Sequence, residues 1–331
     1  MSLPPVEIPL GAMRFNSDSQ KLEFFNGDVW MQVHTFNSDL NGGSRGFTAG
    51  GSPGPYSNVI EYYTIPTQGN ATDFGDLSQA RNSAGWCASR TRAIVAGGHN
   101  GSRVDTIDYW THAAQGNAVD FGNLLSTKAL NNNMSSNQIR GISMGVDPAG
   151  NTIQYLTIPT TGNTIDFGDL YTGSTAAGMG CASPIRSHLF GGVTPSAYQT
   201  AIQFVMIGTL GNSQQFGDLS QPTREGSAAG NSTRGFTFAG QTPSSHVKTI
   251  TKTELASTGN GTDFGQLSVT HTGGVSVSNP TRGITSGGSP GINTMEYTSL
   301  HTEGDAVDFG DLTGTNTNYT SGNSNAHGGL G

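Results

Sequence analysis

Polar and apolar positions along most of this chain alternate with a period of two, the pattern of a half-buried β-strand. In residues 45–77, Val59, Glu61 and Tyr63 alternate with Ile60, Tyr62 and Thr64 in a run rich in β-branched and aromatic residues. A short apolar run, Gly46, Phe47, Thr48 and Ala49, precedes it and ends at Gly50 and Gly51. Residues 71–77 predict a returning strand, and a Gly/Ser/Ala/Asn-rich stretch at 82–89 predicts a fourth. No window keeps the 3.6-residue spacing of a helix.

This unit recurs. An Arg opens each apolar run at Arg45, Arg92, Arg140, Arg186, Arg234 and Arg282, at spacings of 47, 48, 46, 48 and 48. A Gly-Asn pair returns at 69, 116, 162, 211 and 259, with Gly304 and Asp305 last. Phe-Gly-x-Leu follows at Phe74, Phe121, Phe167, Phe216, Phe264 and Phe309. Such self-similarity marks a solenoid, a propeller or an array, and about four short strands per unit suit a propeller blade. The Gly-Asn pair is read here as a tight hairpin turn. The fifth unit is the least regular, with Lys252 and Thr253 where others carry Tyr or Phe.

The order of Arg, apolar run, Gly-Gly, variable loop, Tyr-containing strand and aromatic resembles the kelch family of β-propellers over residues 45–312. Two features depart from that family: Phe74 and its equivalents stand for the usual Trp, and the Gly doublet decays to Gly145 with Val146 and Ala239 with Gly240. The resemblance implies an all-β, six-bladed β-propeller and no particular activity. The first unit lacks an innermost strand before Arg45, and a surplus one lies at 317–329. The C-terminal strand is therefore expected to complete blade one and close the ring, leaving few open sheet edges.

Residues 10–33 fall outside the repeat. Met13 to Phe15 and Leu22 to Phe25 predict strands across a turn at 16–20, and Asn26 with Gly27 predicts a hairpin into Val29, Trp30 and Met31. The order of Gly11, Arg14, Phe15, Asn16, Glu23, Phe25, Gly27 and Trp30 resembles a module of tail-fibre and other virion structural proteins of bacteriophages, cyanophages among them. The resemblance implies a phage particle component that joins other virion proteins or sister copies through Arg14, Phe15, Phe25 and Trp30. The expected domains are 1–36, an extended start with the β-hairpin attachment module, and 37–331, the propeller, with a linker at 34–44.

Charged residues are 11% of the chain, against roughly 25% in ordinary domains, and Gly, Ser, Thr and Asn fill the deficit. The in-register aromatic and β-branched residues argue against disorder. A net charge of −8 with 15 basic residues, six of them at the repeat Arg, argues against a nucleic-acid surface. No run approaches the ~18 apolar residues of a membrane span, and 1–9 has no signal-peptide pattern. Cys87 and Cys181 hold equivalent positions in non-adjacent units, so two free, buried thiols are expected.

Catalytic chemistry finds little footing. Asp-Phe-Gly matches a kinase triplet, but it occurs at Asp73, Asp120, Asp166, Asp263 and Asp308, and a catalytic triplet does not recur five times. Its Asp is expected to accept from a repeat Arg or a turn amide. The sequence holds no HExxH, EF-hand or P-loop, and no enzyme, metal or cofactor is expected. The loops do differ. Those between strands one and two and between strands three and four are uniform, whereas those between strands two and three, and those linking units, vary and carry Tyr56, His99, Arg103, Tyr171, Tyr198, His246 and His271. Variable side chains on a rigid frame suit a binding face, and here the expected ligand is a host-surface glycan or receptor. The rival readings are a capsid decoration or baseplate protein without ligand, and a polysaccharide-degrading enzyme.

Overall fold

A computed structural model describes residues 8–16, 21–32, 44–52, 56–131, 133–314 and 318–331. The chain separates into two compact units, Met1–Gly43 and Ser44–Gly331. The expected extended start up to residue 7, the turn at 17–20, the boundary at 36/37, the linker at 34–43, and residues 315–317 lie outside the described residues.

The first unit holds a three-stranded antiparallel sheet of Met13–Asn16, Lys21–Phe25 and Trp30–Gln32. Its second turn is held by Asn26, whose Oδ1 accepts from the amides of Asp28 (3.0 Å) and Val29 (2.8 Å).

In the second unit, the described strands form six four-stranded antiparallel sheets, a propeller-like all-β arrangement. Sheet 1 runs Ser321–Ser324, Arg45–Ala49, Val59–Thr64 and Thr72–Asp76. Sheet 2 runs Gly85–Ala88, Arg92–Ala96, Thr106–Thr111 and Val119–Asn123, and sheet 3 Met134–Ser136, Arg140–Met144, Thr152–Thr157 and Ile165–Asp169. Sheet 4 runs Met179–Ala182, Arg186–Phe190, Ala201–Met206 and Gln214–Asp218, and sheet 5 Ser227–Gly230, Arg234–Gln241, His246–Glu254 and Thr262–Gln266. Sheet 6 runs Val275–Ser278, Arg282–Ser286, Thr294–Ser299 and Val307–Asp311. The first strand of each sheet is buried throughout, which explains its small Gly, Ala, Ser and Cys residues. Each first strand touches that of the next sheet, and Ser321–Ser324 touches both Val275–Ser278 and Gly85–Ala88. Ser321 pairs with Ala49 and Ser324 with Gly46, so the two ends of this unit share one sheet.

The recurrent residues join neighbouring sheets. Each repeat Arg donates through Nη1 to main-chain carbonyls of the following sheet: Arg45 to His112 (2.7 Å), Arg92 to Pro159 (2.9 Å), Arg140 to Ile207 (2.9 Å), Arg186 to Ala256 (2.9 Å), Arg234 to Leu300 (3.3 Å) and Arg282 to Pro66 (2.8 Å). Five of them also lie over an aromatic ring of their own sheet, as Arg282 does over Tyr297 at 4.7 Å. In sheet 5, where Lys252 replaces that ring, Arg234 Nε meets Glu254 at 3.1 Å instead. The Asp of Asp-Phe-Gly is therefore not the Arg partner, and Asp73 and its four equivalents are exposed.

The Gly-Asn pair corrects its reading as a tight turn. Strands three and four of sheet 1 are joined by residues 65–71, and the pair docks on the preceding sheet. Gly69 N–H donates to the Phe309 carbonyl (3.0 Å), and Asn70 Oδ1 accepts from Asp311 N–H (3.1 Å). Gly116 and Asn117 repeat this on Phe74 and Asp76. Phe74 packs between sheets 1 and 2 with Phe47, Ala93 and Trp110. Cys87 and Cys181 are free and buried, and burial pushes both thiols up, Cys181 to about 12.

Candidate functional site

The loops between strands two and three and the links between sheets meet on one face. Isolated bridges tie them together, pairing Ser52 with Asn318, Asn82 with His99, Ala176 with Val193, Arg224 with Gln241 and Thr272 with Ser289. One residue after each of these link residues, the chain turns left-handed: Ser83, Ala177, Glu225 and Tyr319 have φ near +54°, and Gly273 has +65°. Asn131 (φ +45°) holds the matching place in sheet 3. Their amides form a belt. Ser83 N–H donates to Tyr319 O (2.9 Å), Tyr319 to Gly273 (2.7 Å), Gly273 to Glu225 (2.7 Å), Glu225 to Ala177 (2.9 Å) and Asn131 to Ser83 (3.0 Å).

Glycine is required at one place in this belt. A Cβ on Gly273 would meet the Tyr319 ring at 2.8 Å. With that space open, Tyr319 reaches across sheet 6 and donates its hydroxyl to Glu225 Oε2 at 3.2 Å. Burial, and then the carboxylate beside it, push the phenol up to about 12, so it stays a donor at neutral pH. The belt surrounds a cavity of about 10 Å³ lined by Ser83, Asn131, Glu225, Gly226, Gly273 and Tyr319, room for about one water.

Around this centre, the structure joins some expected ligand residues and separates others. Tyr56 Oη lies 2.9 Å from His99 Nδ1, joining sheets 1 and 2. Arg103 Nη2 bonds Asp147 Oδ2 at 2.9 Å, joining sheets 2 and 3, with both side chains about 40% exposed. Tyr198 carries the Arg224 guanidinium 4.8 Å over its ring, and Arg224 Nη2 also donates to Gln241 (2.9 Å). Tyr171 and His246 are exposed and stand apart from these pairs. His271 is a correction. It is buried against the glycines at 274 and 288, and burial pulls its imidazole down to about 4, so it offers nothing to an external ligand.

Buried carboxylates on the third strands secure the links. Asp108 accepts from Arg81 (3.0 Å) and from Ser78 N–H (3.1 Å), Glu296 from Ser268 N–H (2.9 Å), and Glu61 from Thr313 N–H (2.8 Å). Among the described residues, no group of three or more His, Cys, Asp or Glu is placed to hold a metal, and no helix is long and apolar enough to cross a membrane.

The opposite face carries residues that the strand pattern did not single out. Ile139 and Ile185 precede the repeat Arg of sheets 3 and 4, where other sheets have Thr91, Thr233 and Thr281. Met206 and Leu210 stand where other sheets have residues such as Thr64 and Gln68. All four are 41–60% exposed. The repeat register itself marks them, because it supplies the polar residue each replaces.

In the first unit, Arg14 bonds Glu23 (2.9 Å) and lies 4.2 Å over Trp30, which packs on Phe25. Three of the expected attachment residues are thus together, whereas strand alternation puts Phe15 on the other face. No protein-family model matches the chain, and no curated protein matches its sequence.

Proposed function

We propose that this chain is a structural protein of a phage particle, a tail-fibre or appendage component. Its repeats form a closed, six-bladed, kelch-like propeller that displays a host-binding face, and its first unit attaches it to the particle. The observation that carries the binding reading is the contrast between the loops on one frame. The Arg and Gly-Asn joints recur from sheet to sheet, whereas the loops above the belt differ in every sheet and present Tyr56 with His99, Arg103 with Asp147, and Tyr198 with Arg224. A rigid frame holding unlike aromatic and polar groups favours recognition of a surface glycan, because a Tyr ring offers an apolar face with a polar rim. The circular contact of the six first strands, with Ser321–Ser324 between sheets 6 and 2, supports closure.

Changing Tyr56, Tyr198 and His246 together to Ala tests the reading. The variant is expected to melt within about 2 °C of the parent, since these side chains are outside the core, and to lose at least tenfold in retention on host cells or isolated lipopolysaccharide. Equal retention would overturn the binding face. The exposed Ile139, Ile185, Met206 and Leu210 favour a second reading, a capsid decoration or baseplate component without ligand, which would appear as density on the particle and no binding to cells.

A further inference from the structure

We propose that the first unit assembles with a second copy of this chain by stacking one apolar sheet face on its twin. Residue pairing fixes which side chains share a face. Met13 opposes Phe24, Phe15 opposes Leu22, and Phe24 opposes Met31. Because side chains alternate across a strand, these five stand together. They are 63%, 39%, 67%, 40% and 44% exposed for Met13, Phe24, Phe15, Leu22 and Met31. The other face is already closed by its own groups: Glu23, 4% exposed, accepts from Arg14 and Asn16, and Arg14 covers Trp30. A sheet this small needs an apolar face packed on something to be stable.

The chemistry selects the occupant. Those five side chains carry no charge and no nitrogen or oxygen, so the partner surface must be flat and apolar too. A second copy supplies that surface, at the roughly 10 Å spacing of stacked sheets. Five half-exposed large side chains offer roughly 500 Å² per copy, so a pair buries about 1,000 Å², the lower bound for a specific interface. A lipid surface fits less well, because an interfacial element also uses a basic polar face, and here Arg14 is neutralised by Glu23. This inference rests on the first unit being an attachment element, but its test needs neither host nor particle, so its failure leaves host binding untouched.

The test is sedimentation velocity of the full chain from about 1 to 100 µM. The parent is expected to reach at least twice its 34.3 kDa mass. Phe15→Ser with Phe24→Ser should raise the dissociation constant at least 100-fold, and Phe15→Leu with Phe24→Leu should retain assembly. Because the serine variant could unfold the small sheet, proximity is read separately. Leu22→Cys in the otherwise parental chain, treated with a bis-maleimide of about 10 Å span, should give a covalent dimer, the two native thiols being buried. A monomeric parent, serine and parental chains that assemble alike, or a Leu22→Cys chain that does not cross-link would each overturn the proposal.

Discussion

The Oδ1 of Asn325 accepts a hydrogen bond from the backbone N–H of Arg45 at 2.8 Å, 280 residues away in the chain. Elsewhere this bond is local: Asn137, Asn231 and Asn279 cap Arg140, Arg234 and Arg282 three residues on. Sheet 1 thus keeps the same cap although its first two strands come from opposite ends of the chain. Asn325→Ala is expected to cost about 1 kcal/mol, read by urea unfolding. Removing residues 313–331 should cost far more, because Arg45–Ala49 would lose its ladder partner and become an open edge. A truncated chain that melts like the parent would show that this strand is dispensable.

Much of this was legible from residue types that recur. The Arg, Phe and Gly-Asn markers fixed the period, and alternation fixed the strands. What the Gly-Asn pair does was not legible, because its partners, such as Phe74 and Asp76 for Gly116 and Asn117, lie in the preceding repeat, about 40 residues earlier. The belt was hidden for another reason. Its left-handed positions hold Ser83, Asn131, Ala177, Glu225, Gly273 and Tyr319, six different residue types with no shared signature. The burial of His271 was not legible either, because a lone His in a link has no pattern that tells buried from exposed.

The inter-sheet joint explains the glycine of Phe-Gly-x-Leu. Gly75 sits at φ +154°, and a Cβ there would lie 2.4 Å from the Gly116 carbonyl oxygen. That neighbour is backbone held by its own hydrogen bond to Phe74, so it cannot yield cheaply. Gly75→Ala should destabilise by about 3 kcal/mol or more, against about 1 kcal/mol for Asn117→Ala, which removes one bond to Asp76. Chemical denaturation of the two variants side by side checks the order, and equal losses would refute the steric account.

The apolar departures on sheets 3 and 4 should be free of folding duty. Other sheets fold with Thr or Gln at the same places, so Ile139→Thr, Ile185→Thr, Met206→Thr and Leu210→Gln together should leave stability within about 1 kcal/mol. If these side chains pack against another particle protein, incorporation into the particle should fall while melting holds. Unfolding of the quadruple variant would mean they are core residues of these two sheets.

His188 occupies a position that Phe47 and Phe236 fill in sheets 1 and 5, and its ring meets Phe216 edge-on at 4.9 Å among Phe190 and Phe204. Neither ring nitrogen has a hydrogen-bond partner, and burial pulls the imidazole down to about 3. His112, His271 and His327 are likewise buried and held down to about 4, chiefly by desolvation. Above the unfolded value of ~6.5, all four are neutral in both states and their contribution is complete. As pH falls below ~6.5, the unfolded chain takes up protons that the folded chain refuses, so stability drops by about 1.4 kcal/mol per pH unit for each His until the folded values are reached. His188→Phe should therefore act twice. At pH 7 it should raise stability by about 1 kcal/mol, because an unsatisfied polar ring leaves the core. Between pH 6 and 4.5 it should flatten the dependence of unfolding free energy on pH by about one proton, leaving the other three histidines to set the remaining slope. Urea unfolding across that range measures both, and an unchanged slope would show that His188 is protonated in the folded protein.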